Sequence, residues 1–246
     1  MRTSGKRLAE VVALLKESVK PGTSTAELDE LAESTIRKLG GIPSFLGYAP
    51  GGVPYPATIC ASPNDAVVHG IPNDVPLQAG DTISIDVGLI YGGYHSDCAF
   101  TVVVGDARPE IAQLLDVTEK SMYEGIASAV PGNRIGDIGH AIQSFVEPHG
   151  FGIVQEYVGH GIGRLLHEPP SVPNFGKARS GQLLKKGMCL AIEPMVTLGS
   201  HETKTLDDDW TVVTADGSLA AHFEHTVAIT PRGPEILTML DGFAPA

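Results

Sequence analysis

Cysteine is scarce in this chain: Cys60, Cys98 and Cys189 are the three present in 246 residues. An odd count without regular spacing excludes a disulfide framework and fits a reducing compartment, where each thiol packs as a small hydrophobe. Aromatic residues are also few, 6% of the chain, with Trp210 the single tryptophan. Basic charge is short, because 17 Lys and Arg stand against 29 Asp and Glu, a formal net charge of −12. Such a balance supplies no basic stripe for a phosphate backbone, so direct nucleic-acid binding is not expected. Long apolar runs are missing too. The N-terminal "MRTSGKRLAEVVALLKESVKPG" sets Leu8, Val11, Val12, Leu15 and Val19 at helical spacing with charge between them, which is neither a signal peptide nor a membrane span. The expectation is a soluble cytoplasmic monomer with no membrane partner.

What is present is 42% hydrophobic residues in a chain long enough for one domain or two fused halves. The order of motifs favours two halves within a single catalytic domain, 1–246, divided roughly as 1–110 and 111–246. "PGTSTAELDELAESTIRKLGG" is followed 110 residues later by "PGNRIGDIGHAIQSFVEPHGF". At that offset Leu28 meets Ile138, Ala32 meets Ile142, Ile36 meets Val146 and Gly40 meets Gly150. Each copy reads as a helix, a Pro-Gly break and an amphipathic helix ended by glycine, with Ser24 and Glu27 forming a capping box in the first. The likeness extends into strands: "GDTISIDVG" aligns with "GMCLAIEPM" at an offset of 107, and "GYHSDCAFTVVV" with "AAHFEHTVAIT" at 127. These alignments superpose Asp86 on Glu193 and Asp97 on Glu224, and the larger second offset implies an insertion in the second hairpin.

Gly92-Gly93 between two β-rich runs signals a tight turn. If those glycines are the loop, Asp86 faces Ala99 and Asp97 faces Gly88, so the aspartates are diagonal neighbours on one face with backbones about 7–8 Å apart. Two carboxylates about 5 Å apart repel by about 3 kcal/mol at an effective dielectric near 20, and Glu193 and Glu224 would add to this. Neither hairpin offers a basic residue beside its acids except histidine. Divalent cations are the better counter-charge, and four carboxylates with one imidazole suit first-row ions.

The imidazole is sought in "EYVGHGIGRLLHEPP", where three glycines and two prolines argue against a regular helix or strand. Gly159 and Gly161 flank His160 and let the backbone pass close to a site, which makes His160 the nitrogen ligand. His167 lies further along the same irregular segment, placed to hydrogen-bond a substrate group.

Taken in order, "VVHGIP", "SIDVG", "YHSD", "YVGHGIGRLLHEPP", "AIEPM" and "DDDWTVVTADGSLAAHFEHT" resemble the type I methionine aminopeptidases over nearly the whole chain. The resemblance implies the pita-bread fold, an α/β (α+β) architecture of two pseudo-symmetric βα halves enclosing a dinuclear metal site. It implies Asp86, Asp97, His160, Glu193 and Glu224 as ligands of two divalent ions, of cobalt, manganese, iron or zinc, with the two inner acids bridging both. His69 and His167 would contact substrate, Glu193 would take the proton of a metal-activated water and pass it to the leaving amine, and Tyr48, Tyr55, Phe45, Cys60, Leu166 and Trp210 would form the methionine pocket. The implied activity is removal of N-terminal methionine from nascent polypeptides when the second residue is small, with the ribosome a further candidate contact.

This sequence departs from the family pattern at Leu166, where an aromatic residue is common, in the longer "YAPGGVPYP" loop, and at His222, placed to tune Glu224. With no extension before the first helix, it looks like a minimal catalytic form. Three other readings compete: a proline-specific aminopeptidase of the same fold, which usually carries an additional N-terminal domain; a metal-free binding protein on this fold; and an unrelated metal hydrolase.

Overall fold

A computed structural model describes residues 1–240 and shows helices α1 (Arg2–Ser18), α2 (Thr25–Lys38), α3 (Pro109–Ser128) and α4 (Ile135–Val146) packed on antiparallel strands. The helices form where the apolar spacing demands. Leu8, Val11, Val12 and Leu15 of α1 and Leu28, Ala32 and Ile36 of α2 are buried in one core with Ile138, Ile142 and Val146 of α4. Ser24 and Glu27 make the reciprocal capping bonds expected, and in α4 the Asp137 carboxylate likewise accepts from the Arg134 backbone. Gly40 and Gly150 both end their helices with positive φ, 73° and 77°.

The hairpin Thr82–Tyr91 and Tyr94–Val103 turns at Gly92-Gly93 and pairs in the register read from sequence, Asp86 opposite Ala99 and Asp97 opposite Gly88. Strand alternation then sorts the side chains. Ile83, Ile85, Val87, Leu89, Cys98 and Phe100 join the helix-side core, so Asp86 and Asp97 point to the opposite face. In the second half, Leu190, Ile192, Ala221 and Phe223 join the same core, which turns Glu193 and Glu224 to that opposite face as well.

The two halves are tied alike. Gly22 donates to Leu77 O and Gly132 to Leu184 O, while Gly80 donates to Val104 O and Gly187 to Ile229 O. Where the halves meet, Ala99 and Glu224 exchange backbone hydrogen bonds of 3.4 and 2.9 Å. On either side of that pair, the Thr226 hydroxyl accepts from Asp97 N and donates to Asp97 O, and the Thr101 hydroxyl does the same with His222 N and O.

These bonds correct one alignment. The pseudo-dyad relates Asp97 to His222 and Ala99 to Glu224, an offset two residues shorter than the one that superposed Asp97 on Glu224. Glu224 still reaches the common face, because the second hairpin keeps one register across a break: Ile192 lies opposite His225 and Met195 opposite His222, which sets Glu193 directly opposite Glu224. The first-half acids sit diagonally instead.

The histidine segment is also more regular than its sequence suggests. Gly159–Gly161 is a short strand between Cys189–Ile192 and Glu168–Val172 in a five-stranded sheet. Its glycines are required by close strand approach: a Cβ on Gly159 would lie 2.4 Å from Ala191 O, and one on Gly161 2.4 Å from Pro169 O. No described helix is long and apolar enough to cross a membrane.

Candidate active site

A cavity of about 420 Å³ opens on the face opposite the helices. Asp86, Asp97, His160, Glu193 and Glu224 all line it. One donor atom each from Asp97, His160 and Glu224 falls within 4.8 Å of the others, and all three residues are buried. His160 Nε2 lies 3.5 Å from Glu193 Oε1 and 4.0 Å from Asp97 Oδ2. Its Nδ1 sits 2.9 Å from Gly161 O, so that ring nitrogen carries the proton and Nε2 presents its lone pair to the acids.

Elementary electrostatics makes the cluster unfavourable on its own. Burial raises the carboxyls of Asp86, Asp97, Glu193 and Glu224 above their ordinary range, and for Asp97 and Glu224 the neighbouring acids push the same way. Burial depresses His160 despite the opposing pull of Glu193. Among the described residues, Asp86 Oδ1 and Glu224 Oε1 are buried with no hydrogen-bond partner. Buried acceptors left unsatisfied beside a free imidazole nitrogen fit a divalent cation in both charge and donor type.

His222 is placed differently from the sequence reading. Its Nε2 lies 3.5 Å from Glu193 Oε2, so it accompanies Glu193 rather than Glu224. Burial lowers its pKa, and it too lines the cavity.

The remaining wall is apolar and aromatic. Phe45, Tyr48, Tyr55, Cys60, Leu166 and Trp210 all border the cavity, as do His69 and His167. The Tyr55 hydroxyl donates to Ile59 O and Gly70 O, which anchors the ring in the wall. Trp210 lies two residues before the strand Val212–Thr214, and its indole packs edge-on to Tyr55 with centroids 5.1 Å apart. His69 stands edge-on to both Tyr157 and Trp210. Its backbone adopts φ 60°, a left-handed conformation that costs a non-glycine residue about 1–2 kcal/mol and persists only where the surroundings impose it. Burial lowers its imidazole to about 4, so it is neutral near pH 7. All three cysteines are free; Cys60 and Cys98 are buried, whereas Cys189 is partly exposed.

The family model described as "Metallopeptidase family M24" matches residues 1–231. The chain belongs to that family. Within M24, its high-identity relatives are methionine aminopeptidases. The methionine aminopeptidase of Clostridium perfringens is 52% identical over 240 residues, covering 98% of this chain and 95% of that protein. The crystal structure of methionine aminopeptidase from Rickettsia prowazekii superposes with a TM-score of 0.94 at 42% identity, covering 97% of this chain and 95% of that one. A prolidase from Pyrococcus furiosus shares the fold, with a TM-score of 0.77 at 21% identity, and this chain covers 63% of its length. The pita-bread architecture and the methionine aminopeptidase assignment read from the ordered motifs therefore stand.

In this M24 chain the cavity also takes in Val68, Tyr157, Val158 and Met195, which motif reading passed over. Met195 was within reach, because alternation from Glu193 puts it on the same face. Tyr157 and Val158 lie within three residues of His160, but their direction depends on a strand the glycines disguised.

Proposed function

We propose that the chain removes methionine from the N-terminus of polypeptides when the second residue is small, acting on nascent chains in the cytoplasm. One catalytic unit of residues 1–246, with halves of roughly 1–110 and 111–246, does this as a monomer, and contact with the ribosome is a further expectation. Asp86, Asp97, His160, Glu193 and Glu224 would hold two divalent ions, of cobalt, manganese, iron or zinc, since oxygen donors with one imidazole suit first-row metals. When bound, such ions supply Lewis acidity toward the scissile carbonyl and acidify a water.

The chain's own residues do the rest. Glu193 takes a proton on a carboxyl oxygen and returns it to the nitrogen of the breaking C–N bond, a task suited to a carboxyl whose proton affinity burial has raised. His167 donates a ring N–H to the carbonyl oxygen as negative charge grows there, a contribution of about 3 kcal/mol for a donor of this kind. His69, fixed between Tyr157 and Trp210, orients the substrate amide beside the bond to be cut. Phe45, Tyr55, Cys60, Leu166 and Trp210 exclude water and receive the methionine side chain.

The observation that carries this reading is one cavity in which five ligand-type side chains meet a wall of apolar and aromatic residues. Mass analysis of an N-terminal peptide panel, with and without chelator, tests it. Met-Gly-Met should lose methionine only without chelator, and a Xaa-Pro peptide should be left intact. Cleavage of the Xaa-Pro peptide alone would establish the proline-specific alternative.

A further inference from the structure

Tyr48 was expected to serve as part of the methionine wall, yet its polar end is committed elsewhere. Its hydroxyl oxygen lies 2.6 Å from Nδ1 of His167, with ring centroids 5.2 Å apart. Among the described residues it is the one hydrogen-bond partner of that imidazole. We infer that Tyr48 is a positioning residue whose hydroxyl donates to Nδ1 of His167 and fixes the tautomer that carries its proton on Nε2.

The polarity follows from the groups. A phenol is a strong donor and a weak acceptor, whereas an unprotonated imidazole nitrogen is a strong acceptor. With Nδ1 occupied as acceptor, the ring proton resides on Nε2, since the hydrogen bond at one imidazole nitrogen sets the state of the other. The reverse polarity would leave Nε2 bare and repel a developing oxyanion.

The placement of Tyr48 is built into its loop. Gly47 N donates to Tyr55 O and Tyr55 N to Tyr48 O, both 2.8 Å, closing the base of the 48–55 segment, and Tyr48 N donates to Phe45 O. Tyr55 is anchored in turn through its hydroxyl to Ile59 O and Gly70 O. Tyr55 thus holds the base from which Tyr48 reaches His167, while His160 packs against the same imidazole, centroids 4.2 Å apart. The 48–55 loop is a platform for the second histidine as well as a cavity wall.

The inference rests on His167 acting as the donor to the substrate carbonyl, and the test separates the two claims. In the zinc-loaded enzyme acting on Met-Gly-Met, Tyr48→Phe should lower kcat roughly 10- to 100-fold with KM changed by less than about threefold, the pattern of an interaction realised in the transition state. In ¹⁵N-histidine spectra of the same zinc-loaded protein, with His167 assigned by its loss in His167→Gln, the parent should show one tautomer protonated on Nε2, and Tyr48→Phe should show a mixture. A parent protonated on Nδ1 would overturn the inference. So would Tyr48→Phe retaining full kcat while His167→Gln is impaired. Full kcat in His167→Gln would instead remove the donor role of His167, and this inference with it.

Discussion

The paired threonines at the pseudo-dyad allow a test of how the scaffold supports the cluster. Thr226 and Thr101 are fully or almost fully buried, and each hydroxyl closes one bond from and one bond to a backbone across the junction of the halves. Thr226→Val keeps the shape and strands Asp97 N–H and Asp97 C=O; Thr101→Val strands the same groups of His222 and also removes the partner of the buried Ser84 hydroxyl, 2.8 Å away. Losing an ordinary buried hydrogen bond costs about 0.5–1.5 kcal/mol, and an orphaned buried donor about 1–3, so each substitution should destabilise the metal-free chain by about 2–4 kcal/mol in urea unfolding. That is a large part of the about 5–15 kcal/mol that holds a typical domain. Metal affinity should split the pair. Thr226→Val loosens the backbone of Asp97, a proposed ligand, and should weaken metal binding roughly 10- to 100-fold in calorimetric titration, whereas Thr101→Val should change it by less than about threefold. Equal loss of metal affinity in both variants, or a stability cost below about 0.5 kcal/mol in either, would refute the reasoning.

Three further outcomes follow from the site. His69→Ala should lower kcat by roughly 10² while metal content, read by elemental analysis, stays at the parent level; loss of metal with full turnover on resupply would reject the orienting role. Gly161→Ala should cost at least about 1–3 kcal/mol in thermal unfolding and reduce metal content, because its Cβ would meet Pro169 O at 2.4 Å and shift the strand bearing His160. Metal affinity should fall between pH 7.5 and 6 in competition titrations. The acids' pKa values are raised by burial, so protons compete with the metal well above the usual carboxylate range, and each proton taken up removes a ligand charge.

Much of the site was legible because its signals are local. Gly92-Gly93 between alternating strands determined the hairpin register, and with it the shared face of Asp86 and Asp97. Capping chemistry at Ser24 and apolar spacing in α2 and α4 marked the duplicated helices. What escaped depends on partners distant in sequence. The strand at His160 is three residues long and exists because neighbouring strands supply its pairing, so glycine-rich sequence there imitates a loop. The left-handed backbone of His69 and the bond from Tyr48 to His167 likewise arise from packing between segments that no periodicity connects.

The misplaced equivalence of Asp97 and Glu224 has a physical lesson of its own. A duplicated scaffold repeats its backbone bonds, because each half must satisfy the same buried N–H and C=O groups. Side-chain chemistry is under no such constraint. The dyad offers inward positions at residues 97 and 99 in one half and at 222 and 224 in the other. The first half places a carboxylate at the outer of these and alanine at the inner; the second places histidine at the outer and a carboxylate at the inner. Aligning acid with acid therefore recovers the cluster but misreads the symmetry. The difference matters chemically, because it puts His222 beside Glu193, giving the proposed proton carrier an imidazole neighbour that the corresponding acid of the first half, Asp86, has no counterpart for in its own hairpin.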